Sequence, residues 1–189
     1  MKTMNFILVS IIFLYGSEMF AQKAEVNTKK SSIEWLGKKI VGEHSGTIQI
    51  KSGYFEFIND KIAAGKIVID MTTITNSDLD DEDYKQKLVG HLKSDDFFAV
   101  EKYPTADFVF TKSTKFSNGK ATITGDITIK GKTEKISFEA IKRGKEYTAI
   151  IDIDRSKFDI RYGSNSFFDN LGDKAIDDIF TLEIKITIN

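Results

Sequence analysis

The sequence predicts a mostly β protein: a single antiparallel β-barrel of about eight long strands, with one helix over about residues 78–93. Three features lead there. Apolar and polar residues alternate with a period of two over long stretches, short clusters rich in Gly, Asn and Ser separate those stretches, and one segment alone carries helical spacing.

The alternation is plainest in the second half of the chain. Ala121, Ile123, Gly125, Ile127 and Ile129 alternate with Thr122, Thr124, Asp126, Thr128 and Lys130. Ile136, Phe138 and Ala140 alternate with Lys135, Ser137 and Glu139, and Phe180, Leu182, Ile184, Ile186 and Ile188 alternate with Thr181, Glu183, Lys185 and Thr187. Each run offers one apolar face to a core. Residues 117–120, 130–132 and 143–145 supply the Asn or Gly that a tight hairpin turn requires, so neighbouring strands pair antiparallel. Further strands are expected over residues 24–36, 44–51, 53–59, 61–71, 105–116 and 146–158.

Residues 77–93 break the pattern. Ser77 is a candidate helix cap, acidic residues crowd positions 78–83, and Lys85, Lys87 and Lys93 follow, as a helix dipole prefers. Leu79, Tyr84, Leu88 and Leu92 recur near helical spacing and are expected to face the barrel. A sheet with one apolar face must bury it by closing or by folding into a sandwich, and strands of about ten to twelve residues, against the usual five or six, make a deep barrel.

At the N-terminus, Lys2 and the apolar run of residues 6–15 (FILVSIIFLY) followed by Ala21 match a secretory signal peptide. The run is well short of the ~20 residues a membrane-spanning helix needs. Cleavage is expected after Ala21, leaving residues 22–189 as one exported domain, periplasmic or secreted, with no permanent membrane span. The chain has no cysteine, so it carries neither disulfides nor a lipidated Cys. Its 27 basic and 28 acidic residues are spread evenly, which sets aside nucleic acid and other partners recognised by bulk charge. Oligomeric state is not legible.

Motifs for chemistry are sparse. Two histidines, His44 and His91, without Cys or paired-His spacing fall short of a zinc site, and the acidic run at 78–83 lacks the glycine and closing glutamate of a calcium loop. Gly131-Lys132-Thr133 lacks the first glycine of a phosphate loop, and no nucleophile elbow or dinucleotide fingerprint occurs. No catalytic residue, metal site or cofactor is therefore expected. The 15 phenylalanines instead supply rigid apolar wall. Candidate ligand-contacting residues are Trp35, Phe55, Phe57, Ile67, Ile69, Met71, Phe97, Phe98, Phe108, Phe110, Ile123, Phe138, Ile151, Phe158, Phe167, Phe168 and Leu182. Each taken singly is better explained as core packing, and the set carries more weight than its members. His44, His91, Arg155 and Arg161 are candidate polar contacts, with surface pairing the plainer role for the arginines.

Residues 91–108 (HLKSDDFFAVEKYPTADF), 124–138 (TGDITIKGKTEKISF), 153–164 (IDRSKFDIRYGS) and 167–184 (FFDNLGDKAIDDIFTLEI) closely resemble the YceI-like family. Residues 42–46 and 67–73 resemble its N-terminal half, in a branch with a short Gly-x-His-x-Gly element. The resemblance covers nearly all of residues 23–189. It implies a lipocalin-like barrel, exported to the periplasm, that binds polyisoprenoid or related amphiphilic lipid in an apolar tunnel. Non-enzymatic binding for transport, storage or sensing is the expected function. Two other classes stay open: an enzyme acting on a lipid-like substrate in the same cavity, and an interaction module whose barrel is fully packed.

Overall fold

The computed structural model describes residues 21–189. The signal peptide assigned to residues 1–21 lies, apart from Ala21, outside the described residues. These hold nine strands: β1 (Gln22–Glu25), β2 (Ser32–Lys39), β3 (Glu43–Ile58), β4 (Lys61–Asp70), β5 (Thr105–Ser113), β6 (Lys120–Ile129), β7 (Lys132–Arg143), β8 (Glu146–Asp154) and β9 (Ile176–Thr187). One α-helix, α1 (Glu82–Lys93), separates β4 from β5. The sheet runs β1-β3-β2-β9-β8-β7-β6-β5-β4, and β4 pairs back onto β3, so β2 to β9 close into an eight-stranded antiparallel barrel.

The strand expected over 24–36 is two strands in line along one edge of β3. A turn in which Asn27 accepts from the Lys30 amide and the Ser31 hydroxyl interrupts it. β1 then pairs with Tyr54–Phe57 and β2 with Glu43–Ile48. Conversely, the strands expected at 44–51 and 53–59 are one 16-residue strand. Gly53 does not break it: a Cβ there would lie 2.7 Å from Ile67 Cδ1, so this glycine permits close approach of β4 beside a bulge. Gly125 does the same on β6, where a Cβ would meet the Phe108 ring at 2.3 Å.

The three predicted hairpin turns form, with Asn118, Gly119, Lys130, Gly131 and Gly144 at positive φ. β8 stops at Asp154, four residues before its expected end, because the Asp154 carboxylate accepts from the amide and hydroxyl of Ser156 and starts the 3-10 turn Arg155–Phe158. Similarly, α1 begins at Glu82, capped by Asp81 accepting from the Tyr84 amide, rather than near Ser77. Only its last turns face the core. Leu92 is buried and Leu88 half-buried, while Tyr84 is 63% exposed. Leu92, Phe97 and Phe98 cover one end of the barrel, here called the upper end.

Candidate functional site

The inward half of each strand encloses two apolar cavities stacked along the barrel. The upper, about 100 Å³, lies among Trp35, Ile48, Met71, Ile74, Leu92, Phe97, Phe98, Ala106, Ile129, Ile176 and Phe180. The lower, about 70 Å³, lies among Phe55, Ile62, Ile67, Phe108, Phe110, Ile123, Ile136, Phe138, Tyr147, Ile151 and Ile153. Ile33, Ile69, Ile127 and Leu182 border both and form a waist between them. The cavities exist because β-branched Ile and flat Phe side chains, standing perpendicular to a closed sheet, meet across the axis without interdigitating fully.

An aromatic floor closes the lower end. Tyr147 packs edge-on to Phe55 at 5.3 Å and to Phe116 at 5.8 Å, and stacks on Phe57 at 6.1 Å. Lys142 Nζ sits 5.6 to 5.8 Å from three of these rings, on their polar side. Burial pushes the Tyr147 phenol up to about 12.

At the upper end Arg155, 1% exposed, borders the cavity, but its guanidinium points into backbone. Nε donates to the Asp177 carbonyl, Nη1 to those of Ile160 and Tyr162, and Nη2 to that of Ile176. Asp178 Oδ1 stands 3.3 Å from Nη2 as its counter-charge. Burial lowers the Arg155 pKa, opposed by Asp178, Asp177 and Asp154. Four of the five N–H donors of this side chain are thus engaged by carbonyls, tying residues 160–178 to the end of β8. The candidate head-group contact is a structural strap, a role that spacing alone does not reveal.

The other candidates divide clearly. Trp35, Met71, Phe97 and Phe98 border the upper cavity; Phe55, Ile67, Phe108, Phe110, Ile123, Phe138 and Ile151 the lower; Ile69 and Leu182 both. Phe57 belongs to the outer side of the floor, beside a solvent-facing hollow, and borders neither cavity. Phe158 is buried but borders neither cavity, and Phe167 and Phe168 are exposed on the loop before β9, because the chain leaves the sheet between residues 155 and 175. Arg161 pairs with Asp159 on the surface and covers the Phe167 ring. His91 lies edge-on to Tyr162 at 4.3 Å, outside the cavities. His44 Nδ1 is 2.8 Å from Asp78 Oδ2, and Asp78 also accepts from the Ser45 amide and the Asn76 side chain. Burial works against the Asp78 charge, yet these partners outweigh it and leave the carboxyl below its usual range.

Ile127, Ile129, Ile136, Ala140, Phe180, Ile184 and Ile186 border the cavities and stand in the alternating runs without being site candidates. The same period that selected Ile123 points to them. Ile33 and Tyr147 carry no signal beyond lying in a strand. Among the described residues no three His, Asp or Glu side chains stand together as a metal site. None of their helices is long and apolar enough to cross a membrane.

The family model for the YceI-like domain matches residues 25–188. A UPF0312 protein of Pseudomonas putida is 34% identical over 135 residues, which cover 69% of this chain and 66% of the relative. Matched stretches span from about half to two thirds of the length of such curated relatives. Among solved structures, Burkholderia cenocepacia BcnA superposes with a TM-score of 0.62 at 24% identity, covering 85% of this chain and 98% of BcnA. A polyisoprenoid binding domain from Saccharophagus degradans, described as implicated in plant cell wall breakdown, superposes with a TM-score of 0.60 at 9% identity, covering 90% and 99%. These two likenesses establish the fold.

Proposed function

Because the chain belongs to the YceI-like domain family, we propose that its barrel binds a slender apolar or amphiphilic chain, a polyisoprenoid or similar lipid, and performs no chemistry on it. The observation that carries this reading is the pair of cavities in line, lined almost wholly by hydrocarbon and separated by a four-residue waist. The fold neighbour named for polyisoprenoid binding supports the ligand class. The signal-like N-terminus supports a role in the cell envelope, with the protein exported to the periplasm for transport, storage or sensing.

The energetics suit such a ligand. A buried methylene contributes about 0.8 kcal/mol, so about twenty carbons gross about 16 kcal/mol, more than the ~12 of a nanomolar complex. Association and ordering costs reduce that sum without requiring charged contacts. Each resting cavity is smaller than the ~150 Å³ apolar void that admits benzene. Narrow space favours a chain over fused rings, and a chain that reaches from one cavity to the other must turn aside the waist residues Ile33, Ile69, Ile127 and Leu182. Those four then set how tightly the ligand is gripped.

Native mass spectrometry of protein purified from its own host, followed by lipid extraction and titration with farnesol, tests the reading. The expected result is co-purified lipid and saturable farnesol binding that weakens when Leu182 is replaced by Trp. Ligand-free protein that also ignores farnesol overturns it.

A further inference from the structure

Every neighbouring pair of barrel strands except one is laddered along most of its length. β6 and β7 match from Lys120↔Ile141 to Ile129↔Lys132, and β8 and β9 from Glu146↔Thr187 to Asp154↔Ile179. Between β7 and β8 the ladder holds only Ile141↔Thr148, Lys142↔Tyr147 and Arg143↔Glu146, next to the hairpin turn. Beyond those rungs the two strands part, and the barrel wall is split along residues 132–140 and 149–154.

The inward β7 residues beside the split are less buried than their partners on β6. Ile136 and Phe138 on β7 and Ala149 on β8 all border the lower cavity, yet all three are only half-buried. Ile123, inward on β6 and paired with Phe138, is 1% exposed. The turn Arg155–Phe158 packs against β7, and Lys130 Nζ donates to the Asp159 carbonyl, which closes the split near the upper end. The aromatic floor closes it below. What remains is a window in mid-wall. On the outer face beside it Ile150 is 68% exposed, an apolar side chain where strand alternation calls for a polar one.

From this we infer that the split between β7 and β8 is a side exit, through which the far end of a long chain leaves the lower cavity and runs out past Ile150. The inference rests on the proposed binding of an apolar chain. A ten-residue strand at the usual barrel tilt spans about 25 Å of axis, far less than an extended long-chain polyisoprenoid. A closed floor with no side opening would reject such a chain, whereas a window in the wall accepts short and long chains alike. The protein is thus selective for slenderness and tolerant of length.

Closing the window tests this. The chain has no cysteine, so the double variant Glu139→Cys/Ile150→Cys introduces one thiol pair. Both positions face outward, two residues past the last rung, on strands that the disulfide would draw together. Binding of farnesol, a short isoprenoid alcohol, and undecaprenol, a long one, is measured on the oxidised and reduced forms of the full chain. Sealing is expected to leave farnesol affinity unchanged and to weaken undecaprenol about tenfold or more, with reductant restoring it. Ile150→Asp, which sets a charge on the outer path without touching the cavity or adding a cross-link, is expected to weaken undecaprenol and leave farnesol unchanged. Equal undecaprenol affinity in the sealed and open forms, or equal loss of both alcohols, overturns the side exit. Failure of the unaltered protein to bind either alcohol overturns the proposed function instead, and the side exit with it.

Discussion

β8 has two unlike edges. Among the described residues it matches nine of β9 and three of β7. On the β9 side the wall is continuous, and Ile151 and Ile153 are buried against Leu182 and Phe180. On the β7 side the strands separate after three rungs, beside the half-buried Ile136 and Phe138. The difference teaches that closure of a barrel is not uniform. A strand's inward face can be equally apolar on both sides of a split, because the hydrophobic pattern specifies which face points in and not which neighbour stays close. Here the loop that follows β8 intervenes: Arg155 anchors it, and its first turn lies against β7 where ladder bonds would otherwise continue.

The largest expected effect comes from releasing that anchor. Arg155→Ala leaves four carbonyls without their donor and Asp178 without its counter-charge, and is expected to cost about 3 to 5 kcal/mol in urea unfolding. A loss below about 1 kcal/mol would mean that the split is held by something other than the strap.

Next in size is a matched pair on one rung. Ile123→Ala, on the closed side, is expected to cost about 3 kcal/mol, and its partner Phe138→Ala, at the window, about 1 to 2 despite the larger side chain removed. Equal costs would show that the window is shut in solution.

The last concerns the middle of the three shut rungs, where Lys142 faces Tyr147. Tyr147 in the folded protein titrates near 12, against 10.0 for an ordinary phenol. A raised folded pKa means that its contribution to stability is complete below about pH 10 and is lost as pH rises toward 12, because only the unfolded chain ionises in that window. The loss is expected to reach about 2 kcal/mol and to vanish in Tyr147→Phe. Ultraviolet titration checks it: one tyrosine should ionise after the others.

The architecture was largely legible because its signals are local. Period-two runs, Asn-Gly and Gly turns and a charge-graded helix each report on a few neighbouring residues, and they placed the hairpins from β5 to β8, the lone helix and the inward set that borders the cavities. Local signals also misled in specific ways. Ser52-Gly53 reads as a break but is a close approach of two strands, and Ser77 reads as a cap while Asp78 is the residue that latches His44 and the capping falls to Asp81. The phenylalanines at 167 and 168 look like wall and stand in solvent, since composition does not say where the chain leaves the sheet.

What the sequence by itself determined is the alternation that turns one face of each run inward, the hydrocarbon character of that face and the antiparallel pairing of strands joined by tight turns. Only the tertiary structure decided that Arg155 serves the fold, that the interior narrows at Ile33, Ile69, Ile127 and Leu182, and that the wall parts between β7 and β8. Each of these depends on segments distant along the chain meeting or failing to meet. An alternating run reads the same whether its neighbour is paired or parted.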